Sequence, residues 1–315
     1  SELEYLKNKI KYLESIPQPE QRTEEWHIFR NNRLTASDLG HILDDKKNNT
    51  GNSKYCELIK KKCGVEMPFI TGPAIRHGIK FEQIATSIYE KNNNLKILEF
   101  GCIPHLHIRY FGASPDGIVS YNSNNKKYIG RMLEIKCPKS RPINGEIPPI
   151  YYAQIQGQLE VGDLEYCDYL ECDFQFYNGK EDFFRNEENK ETGRKTIKEK
   201  GIIVELFNNN TKKYIYHYGN EEQIKNKETF IEWESSLINS VFNDINLEYI
   251  KTNYWYLNKI NIILVKRDRK WFNTNFIKIK KFWDNVIHYR NGDISVLTKT
   301  KKKYEYKEPE LNFIN

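Results

Sequence analysis

Apolar residues recur every three to four positions in some segments of the chain and alternate with polar residues in others. The first pattern is typical of helices that bury one face, and the second of strands in a sheet. Helices are predicted at residues 2–14, 23–32, 34–42, 55–62, 75–91 and 151–161. Strands are predicted at about 97–103, 107–111, 117–121, 131–136 and 165–177. Helices and strands in this arrangement predict an α/β fold.

The chain beyond these elements has a different character. Residues 180–220 are interpreted as a charged insertion, and within it 201–207 and 212–218 flank an Asn-rich turn. Two apolar runs around such a turn predict a β-hairpin. Helical spacing then predicts one long helix over 221–248 that packs on a core.

Charge is distributed unevenly along the 315 residues, whose formal net charge is +6. Residues 251–315 hold 15 Lys and Arg against 6 Asp and Glu, a net charge of +9, which leaves −3 for residues 1–250. We therefore divide the chain into a domain at 1–250, with its core at about 22–178, and a basic, aromatic C-terminal extension that contacts DNA. A solvated lysine-rich face, with tryptophans that pack a small satellite domain, is the alternative explanation.

Composition disfavours two classes of protein. The sequence has no run of eighteen apolar residues and no basic start followed by an apolar segment. We therefore expect neither a membrane span nor a secretory signal, and an intracellular location. The six cysteines form no C-x-x-C pair, so we expect reduced thiols rather than a zinc site or an Fe–S cluster.

Three residues in two predicted strands carry the candidate chemistry. Asp116 precedes one strand, and the Glu-x-Lys of Glu134 and Lys136 follows eighteen residues later in the next. Adjacent strands would bring the carboxylates together, and Lys136 points to the same side of its strand as Glu134. Two carboxylates suit a hard divalent cation, while a lysine can orient water and offset charge on a phosphate. The pattern indicates metal-assisted cleavage of a phosphodiester.

The same strand has a simpler interpretation. Leu133 and Ile135 alternate with Glu134 and Lys136, as in a strand with one exposed face. Periodicity is therefore equally consistent with an ion pair of Glu134 and Lys136 on the protein surface.

A separate feature is the predicted helix start at Thr35-Ala36-Ser37. Free backbone N–H groups at such a start form an anion site.

Five stretches taken together resemble one nuclease family, and they occur in its order within about residues 22–175. They are Trp26…Arg30…Leu34-Thr35-Ala36-Ser37, His77-Gly78…Phe81-Glu82, Ser114-Pro115-Asp116-Gly117, Leu133-Glu134-Ile135-Lys136-Cys137-Pro138 and Tyr152-Ala153-Gln154-Ile155-Gln156. The chain resembles the lambda-exonuclease/YqaJ-type viral recombinase branch of the PD-(D/E)XK nucleases, in the version found in large DNA viruses. That family has a central mixed sheet flanked by helices, and we expect the same core here.

The resemblance implies a role for each matching residue in the strands. Asp116, Glu134 and the carbonyl of Ile135 would bind metal, and Glu82 would help to hold a second ion. Lys136 would position the attacking water.

Four further roles follow from the resemblance. Gln156 would be the motif glutamine of the active site, with Gln154 as the alternative if the register differs by one helical step. Arg30, Ser37 and Ser114 would grip the 5′-phosphate of the degraded strand.

The resemblance also implies an activity and partners. We expect a deoxyribonuclease with two Mg²⁺ ions, for which Mn²⁺ can substitute, that degrades one strand from a 5′-phosphorylated end. Its partners would be double-stranded DNA ends, a single-strand annealing protein and further copies of itself in a toroidal trimer. A viral protein of this kind would act in the host cytoplasm or nucleus.

Residues 180–220 and 251–315 have no match in the short phage enzymes. The resemblance therefore does not decide whether this chain forms the trimer. Two alternative functions remain at this point. One is endonuclease, alkaline-nuclease or RNase activity on the same core, and the other is a non-catalytic scaffold that binds DNA ends for recombination.

Overall fold

The computed structural model describes residues 1–43, 53–66, 72–185 and 199–298. Its strands are β1 (Leu34–Thr35), β2 (Ile97–Leu98), β3 (Ile103–Pro104), β4 (Phe111–Ala113), β5 (Gly117–Val119), β6 (Met132–Lys136), β7 (Tyr166–Phe176), β8 (Lys200–Asn208), β9 (Lys213–Tyr218) and β10 (Leu247–Lys266). A seven-stranded mixed sheet has the order β2-β5-β6-β7-β10-β8-β9, and a small sheet has the order β1-β4-β3.

Helices cover both faces of the larger sheet. They are α1 (Glu2–Ser15), α2 (Glu24–Asn31), α3 (Leu39–Ile42), α4 (Lys54–Lys62), α5 (Pro73–Asn93), α6 (Pro149–Gly162), α7 (Lys180–Phe183), α8 (Lys227–Asn243), α9 (Arg269–Arg290) and α10 (Ser295–Thr298). The expected central mixed sheet flanked by helices is confirmed. None of the described helices is long and apolar enough to cross a lipid bilayer.

Local chemistry fixes the helix boundaries near the site. Thr23 Oγ1 accepts the Trp26 N–H at 3.2 Å and caps the start of α2. Pro73 begins α5, where its missing N–H costs nothing, and Asn94 ends this helix with a left-handed φ of 55°.

Strand β6 connects the two halves of the core. It pairs antiparallel with β5 and parallel with β7, and α6 makes the crossover between β6 and β7. Leu133 and Ile135 pack on the α5 side of the sheet, while Met132 packs on the α6 side. Alternation along the strand therefore turns Glu134 and Lys136 toward α6.

Two predicted strands differ from the observed ones. The strand expected at 97–103 is divided, because Ile97–Leu98 joins the large sheet and Ile103–Pro104 joins the small one. The strand expected at 107–111 is wrong. His105 Nδ1 accepts the backbone N–H groups of residues 107 and 108, which makes this segment a turn, and the strand follows at Phe111–Ala113.

The long helix predicted over 221–248 is also too long. Helix α8 ends at Asn243, and of its residues only Phe230 is buried. Phe242 and Ile245, which were expected to pack on a core, are exposed. Apolar residues thus keep helical spacing beyond Asn243, but no burial against a core supports a helix there.

The division of the chain at residue 250 falls inside β10, which lies between β7 and β8 in the middle of the sheet. Residues 251–266 therefore complete the central sheet and do not form an appended segment. Helix α9 adds Phe272, Phe282 and Val286 to the main core. Residues 299–315 of the predicted extension, and 186–198 of the predicted insertion, lie outside the described residues.

The tryptophans of the C-terminal part serve packing. Trp255 is buried against Phe174, and Trp283 is buried with its ring stacked on Tyr110 at 5.4 Å between centroids. The packing explanation is thus correct for these two residues, although they pack the main core and not a satellite domain. All six cysteines are free thiols.

Candidate active site

Asp116 and Glu134 come together through strand pairing. Gly117 lies opposite Leu133 in the antiparallel pair of β5 and β6, and the continuation of this register sets Asp116 opposite Glu134. Asp116 Oδ2 accepts the Ile135 N–H at 2.6 Å, so it is fixed against β6. The predicted meeting of the two acids and the lysine is present.

Glu134 is buried, with 1% of its surface exposed. Lys136 Nζ donates a hydrogen bond to its Oε1, and Gln158 Nε2 donates to its Oε2 at 2.8 Å. The Lys136 ammonium also lies over the Tyr151 ring, 4.6 Å from the centroid. This geometry excludes the interpretation of Glu134 and Lys136 as a plain surface ion pair.

Burial and like charges set the electrostatics of this cluster. Burial, together with the negative charges of Glu134 and Glu82, raises the pKa of Asp116 well above its ordinary value. Burial alone would lower the pKa of Lys136, but Glu134 and Asp116 outweigh it and raise that pKa. The site holds clustered carboxyl groups with one lysine cation against them.

The structure corrects the choice of glutamine on α6. Gln156 does not point to the acids, because its Nε2 donates to the Lys266 carbonyl at 2.9 Å and its Oε1 accepts the Asp268 N–H at 2.7 Å. Gln154 Oε1 accepts from Lys136 Nζ at 3.5 Å, and Gln158 bonds Glu134. Residues four apart share a helix face, so Gln154 and Gln158 face the acids together.

Glu82 reaches the cluster from α5 but already has a partner. Arg22 Nη2 donates to its Oε2 at 2.8 Å. Burial raises the pKa of Glu82, Arg22 opposes this effect, and the charge of Glu134 adds to it. The sequence did not indicate Arg22, which stands just before α2 with a positive φ of 68°.

The donor set fits a hard divalent cation. Asp116, Glu134 and Glu82 offer carboxylate oxygens. The negative charges of Glu134 and Glu82 disfavour the ionised form of Asp116, and the charge of Glu134 disfavours that of Glu82. A cation between these carboxylates would relieve the repulsion. No three His, Cys, Asp or Glu side chains in the described ranges are grouped as a ready-made metal site. Glu134 and Glu82 would have to loosen their bonds to Lys136 and Arg22 to act as ligands.

A second cluster, the Arg30 cluster, lies close to Asp116 along the chain and gathers hydroxyl groups around the guanidinium of Arg30. Arg30 Nη1 donates to Ser114 Oγ at 3.3 Å, and its Nη2 donates to Ser37 Oγ at 3.0 Å. The three residues predicted for phosphate binding therefore converge. Thr35 and Trp26 join them, since Arg30 Nη2 donates to Thr35 Oγ1 at 3.4 Å and Trp26 Nε1 donates to Ser114 Oγ at 3.2 Å.

Buried charges hold the backbone around Arg30. Lys62 Nζ donates to the Arg30 carbonyl at 2.8 Å and lies 3.1 Å from Asp38. Asp38 Oδ2 accepts from both the N–H and the hydroxyl of Thr35, at 2.9 and 2.8 Å. Burial would raise the pKa of Asp38, but Lys62, Arg30 and the Thr35 bonds lower it overall. The predicted helix start is present as a short 3-10 helix at Ala36–Asp38, which Thr35 caps and which continues into α3.

A cleft of about 1090 Å³ opens beside Glu82 and Asp116, and Tyr216 and Tyr218 of β9 form part of its wall. The hairpin of β8 and β9 confirms the predicted one and is fixed to α5. Lys80 pairs with Glu205 at 2.8 Å, both buried, and the Tyr218 hydroxyl donates to the Lys80 carbonyl at 2.7 Å. The hairpin of β8 and β9 therefore shapes the candidate site.

Comparison with known proteins finds similarity to a viral domain and to viral proteins. Residues 25–165 match the model of the YqaJ-like viral recombinase domain. It is 33% identical over 313 residues to an uncharacterized protein of Acanthamoeba polyphaga mimivirus, covering 90% of this chain and 55% of that protein. It is 26% identical over 164 residues to a protein of African swine fever virus, covering 45% of this chain and 46% of the other.

The chain spans about half the length of the curated viral relatives it matches. Among solved structures, an alkaline exonuclease from Laribacter hongkongensis is similar, with 17% identity and a TM-score of 0.48 over 85% of this chain and 95% of that one.

Asp116 is expected to make the free energy of unfolding of the metal-free protein depend on pH in a defined direction. Because its pKa is higher in the folded state than the unfolded value of about 3.9, the folded state holds the proton more tightly. We expect this contribution to be fully present below about pH 4 and to be lost as pH rises toward the folded pKa. Denaturant unfolding in EDTA, compared between the parent and Asp116→Asn at each pH, measures it. A difference that stays constant with pH would contradict the assignment.

Proposed function

We propose that this chain is a metal-dependent 5′-to-3′ exonuclease. It would degrade one strand of duplex DNA from a 5′-phosphorylated end and leave a 3′ single strand for recombination or repair. The observation that carries the proposal is the position of Ser114 and Asp116, two residues apart on one segment. Ser114 belongs to the Arg30 cluster and Asp116 to the acids, so the two groups lie within about 7 Å along the backbone.

This spacing suits a strand that enters by its end. A terminal phosphate bound by Arg30 and Ser37 would leave the next phosphodiester beside Asp116 and Glu134. An endonuclease cuts within a strand and has no terminal phosphate to hold, so a pocket for one favours the exonuclease. The match of residues 25–165 to a viral recombinase domain supports the use of the resulting single strand in recombination.

The residues of the chain have separate tasks in this proposal. Asp116, Glu134 and the Ile135 carbonyl would hold Mg²⁺ or Mn²⁺, with Glu82 at a second ion. A divalent cation at these ligands would neutralise charge on the phosphoryl oxygens and lower the pKa of water. Lys136, once released from Glu134, would orient the attacking water, while Gln154 keeps its ammonium in place.

The proposal is tested with a linear duplex that has a 5′-phosphate or a 5′-hydroxyl on otherwise identical ends, in Mg²⁺ and in EDTA. We expect loss of the phosphorylated strand in Mg²⁺ and no loss in EDTA. Cleavage that ignores the end, or that opens a closed circle or RNA, would instead support the endonuclease or RNase. Binding without cleavage in either metal would support a recombination scaffold.

Arg30→Gln is expected to abolish the preference for the phosphorylated end. Charge-assisted hydrogen bonds contribute about 1.5–3 kcal/mol, so kcat/KM on the 5′-phosphate should fall by about 10- to 100-fold. The 5′-hydroxyl duplex is the internal control, since its rate should hardly change. An equal loss on both ends would show that Arg30 supports the fold and not the phosphate.

A further inference from the structure

Arg141 lies in the segment between β6 and α6, and a buried carboxylate holds it. Its Nη2 donates to Glu171 Oε1, and the Tyr169 hydroxyl donates to the same oxygen at 2.7 Å. Glu171 has no exposed surface, whereas 36% of the Arg141 side chain is exposed. The carboxylate is fully buried, and the Arg141 side chain is partly open to solvent.

This arginine stands next to the candidate catalytic lysine. Lys136 and Glu171 are register partners on the parallel strands β6 and β7. The Tyr151 ring connects the two cations, with Lys136 Nζ at 4.6 Å and Arg141 Cζ at 6.0 Å from its centroid. Both cations thus border the same part of the site.

Stability does not account for this arrangement. Burial of a carboxylate costs several kcal/mol, and an apolar pair of the same volume is often as stable as a buried ion pair. A buried ion pair does fix the direction of its arginine. The Glu171 bond uses one N–H of Arg141 among the five that a guanidinium has, and a guanidinium fits phosphate oxygens in a fork.

We propose that Arg141 is a second phosphate-binding residue, which holds a backbone phosphate of the nucleic acid beside Lys136. Glu171 and Tyr169 position it. This inference rests on the proposed function, because it requires a nucleic-acid strand at the acids. It adds a cation beside the end of β6 for a backbone phosphate, whereas the Arg30 cluster would take a terminal phosphate.

The chain contains a matched control at the other end of β6. Arg131 Nη1 pairs with buried Asp168 at 3.1 Å, the Tyr89 hydroxyl donates to Asp168 at 2.6 Å, and Arg131 Cζ lies 4.0 Å from the centroid of the Tyr128 ring. It has the same three kinds of partner as Arg141. Arg131 precedes the strand whose far end carries Lys136, about 16 Å away.

The experiment measures binding of a fluorescent single-stranded oligonucleotide and of a duplex by the full chain with Asp116→Asn, at several salt concentrations. Each phosphate contact contributes about 0.7 to the slope of log K against log salt for single strands, and about 0.9 for duplex DNA. We expect Arg141→Gln to reduce the slope by about one contact and weaken binding severalfold. Arg131→Gln should leave the slope unchanged, and Arg141→Lys should retain most of it.

An unchanged slope in Arg141→Gln would overturn the inference, as would an equal change in Arg131→Gln. If Arg141→Gln does not fold, Arg141→Gln with Glu171→Gln replaces it, because no unpaired charge then remains buried. A parent that binds no DNA would overturn both the inference and the proposed function. The two proposals can also fail separately. If Arg141→Gln changes the slope as expected but the chain with Asp116 intact does not cleave DNA, only the proposed nuclease activity is overturned.

Discussion

Asp116→Asn is expected to lower the rate of strand cleavage by about a hundredfold to a thousandfold, the cost of removing one charged or polar group that acts on the transition state. The asparagine keeps the shape of the side chain and can still accept the Ile135 N–H bond. It removes a negative charge that would hold the cation. Initial rates on the 5′-phosphorylated duplex, at saturating Mg²⁺, measure the effect.

Two controls distinguish this loss of activity from misfolding: the stability of Asp116→Asn, and the activity of a variant at another acid, Asp173. Burial raises the pKa of Asp116, so loss of its charge should not destabilise the metal-free fold. Asp173 of β7 is the control, because it bonds Gln175 and Asn258 away from the acids, and Asp173→Asn should retain full activity. Asp116→Asn with more than a tenth of the parent activity would remove Asp116 from the proposed mechanism.

Lys80→Met is expected to lower the free energy of unfolding by about 3–5 kcal/mol, the usual cost when one partner of a buried ion pair is removed. Lys80 and Glu205 are 2.8 Å apart with side chains 7% and 4% exposed, so the methionine leaves a buried carboxylate without its cation. Asn253 Nδ2, 3.4 Å from that carboxylate, compensates only in part. Urea unfolding measures the loss, and cleavage should also weaken because this pair fixes the hairpin that borders the cleft.

The double variant Lys80→Met with Glu205→Leu is the control for this pair. Replacement of both charges by apolar groups is often neutral, so most of the stability should return. Lys91 and Glu199 offer a comparison at the surface, where an exposed pair contributes at most about 1 kcal/mol. A loss in Lys80→Met as small as that in Lys91→Met would show that solvent reaches the Lys80–Glu205 pair.

The sequence by itself determined the parts of the site that depend on short-range geometry. Strand alternation and a hairpin-like spacing are sufficient to place Asp116, Glu134 and Lys136 together, because β5 and β6 are neighbours in the chain and in the sheet. Arg30 and Ser37 are close for the same reason, since they are seven positions apart, with the end of α2 and strand β1 between them. Their approach to Ser114 followed only from the family resemblance, and the structure confirms it.

Only the tertiary structure decided which side of α6 faces the acids and where β10 lies. The pattern around Gln154 and Gln156 is apolar on most sides, so the helix has no distinct polar face to indicate its orientation. Helix α6 contacts both β6 and the end of β10. Its Gln154 and Gln158 bond Lys136 and Glu134 of β6, while its Gln156 bonds the carbonyl of Lys266 at the end of β10. Strand β10 pairs with β7 and β8 across many intervening residues, and no local spacing records such partners. Local pattern therefore gives the chemistry of each segment, while long-range pairing and burial decide which segments meet.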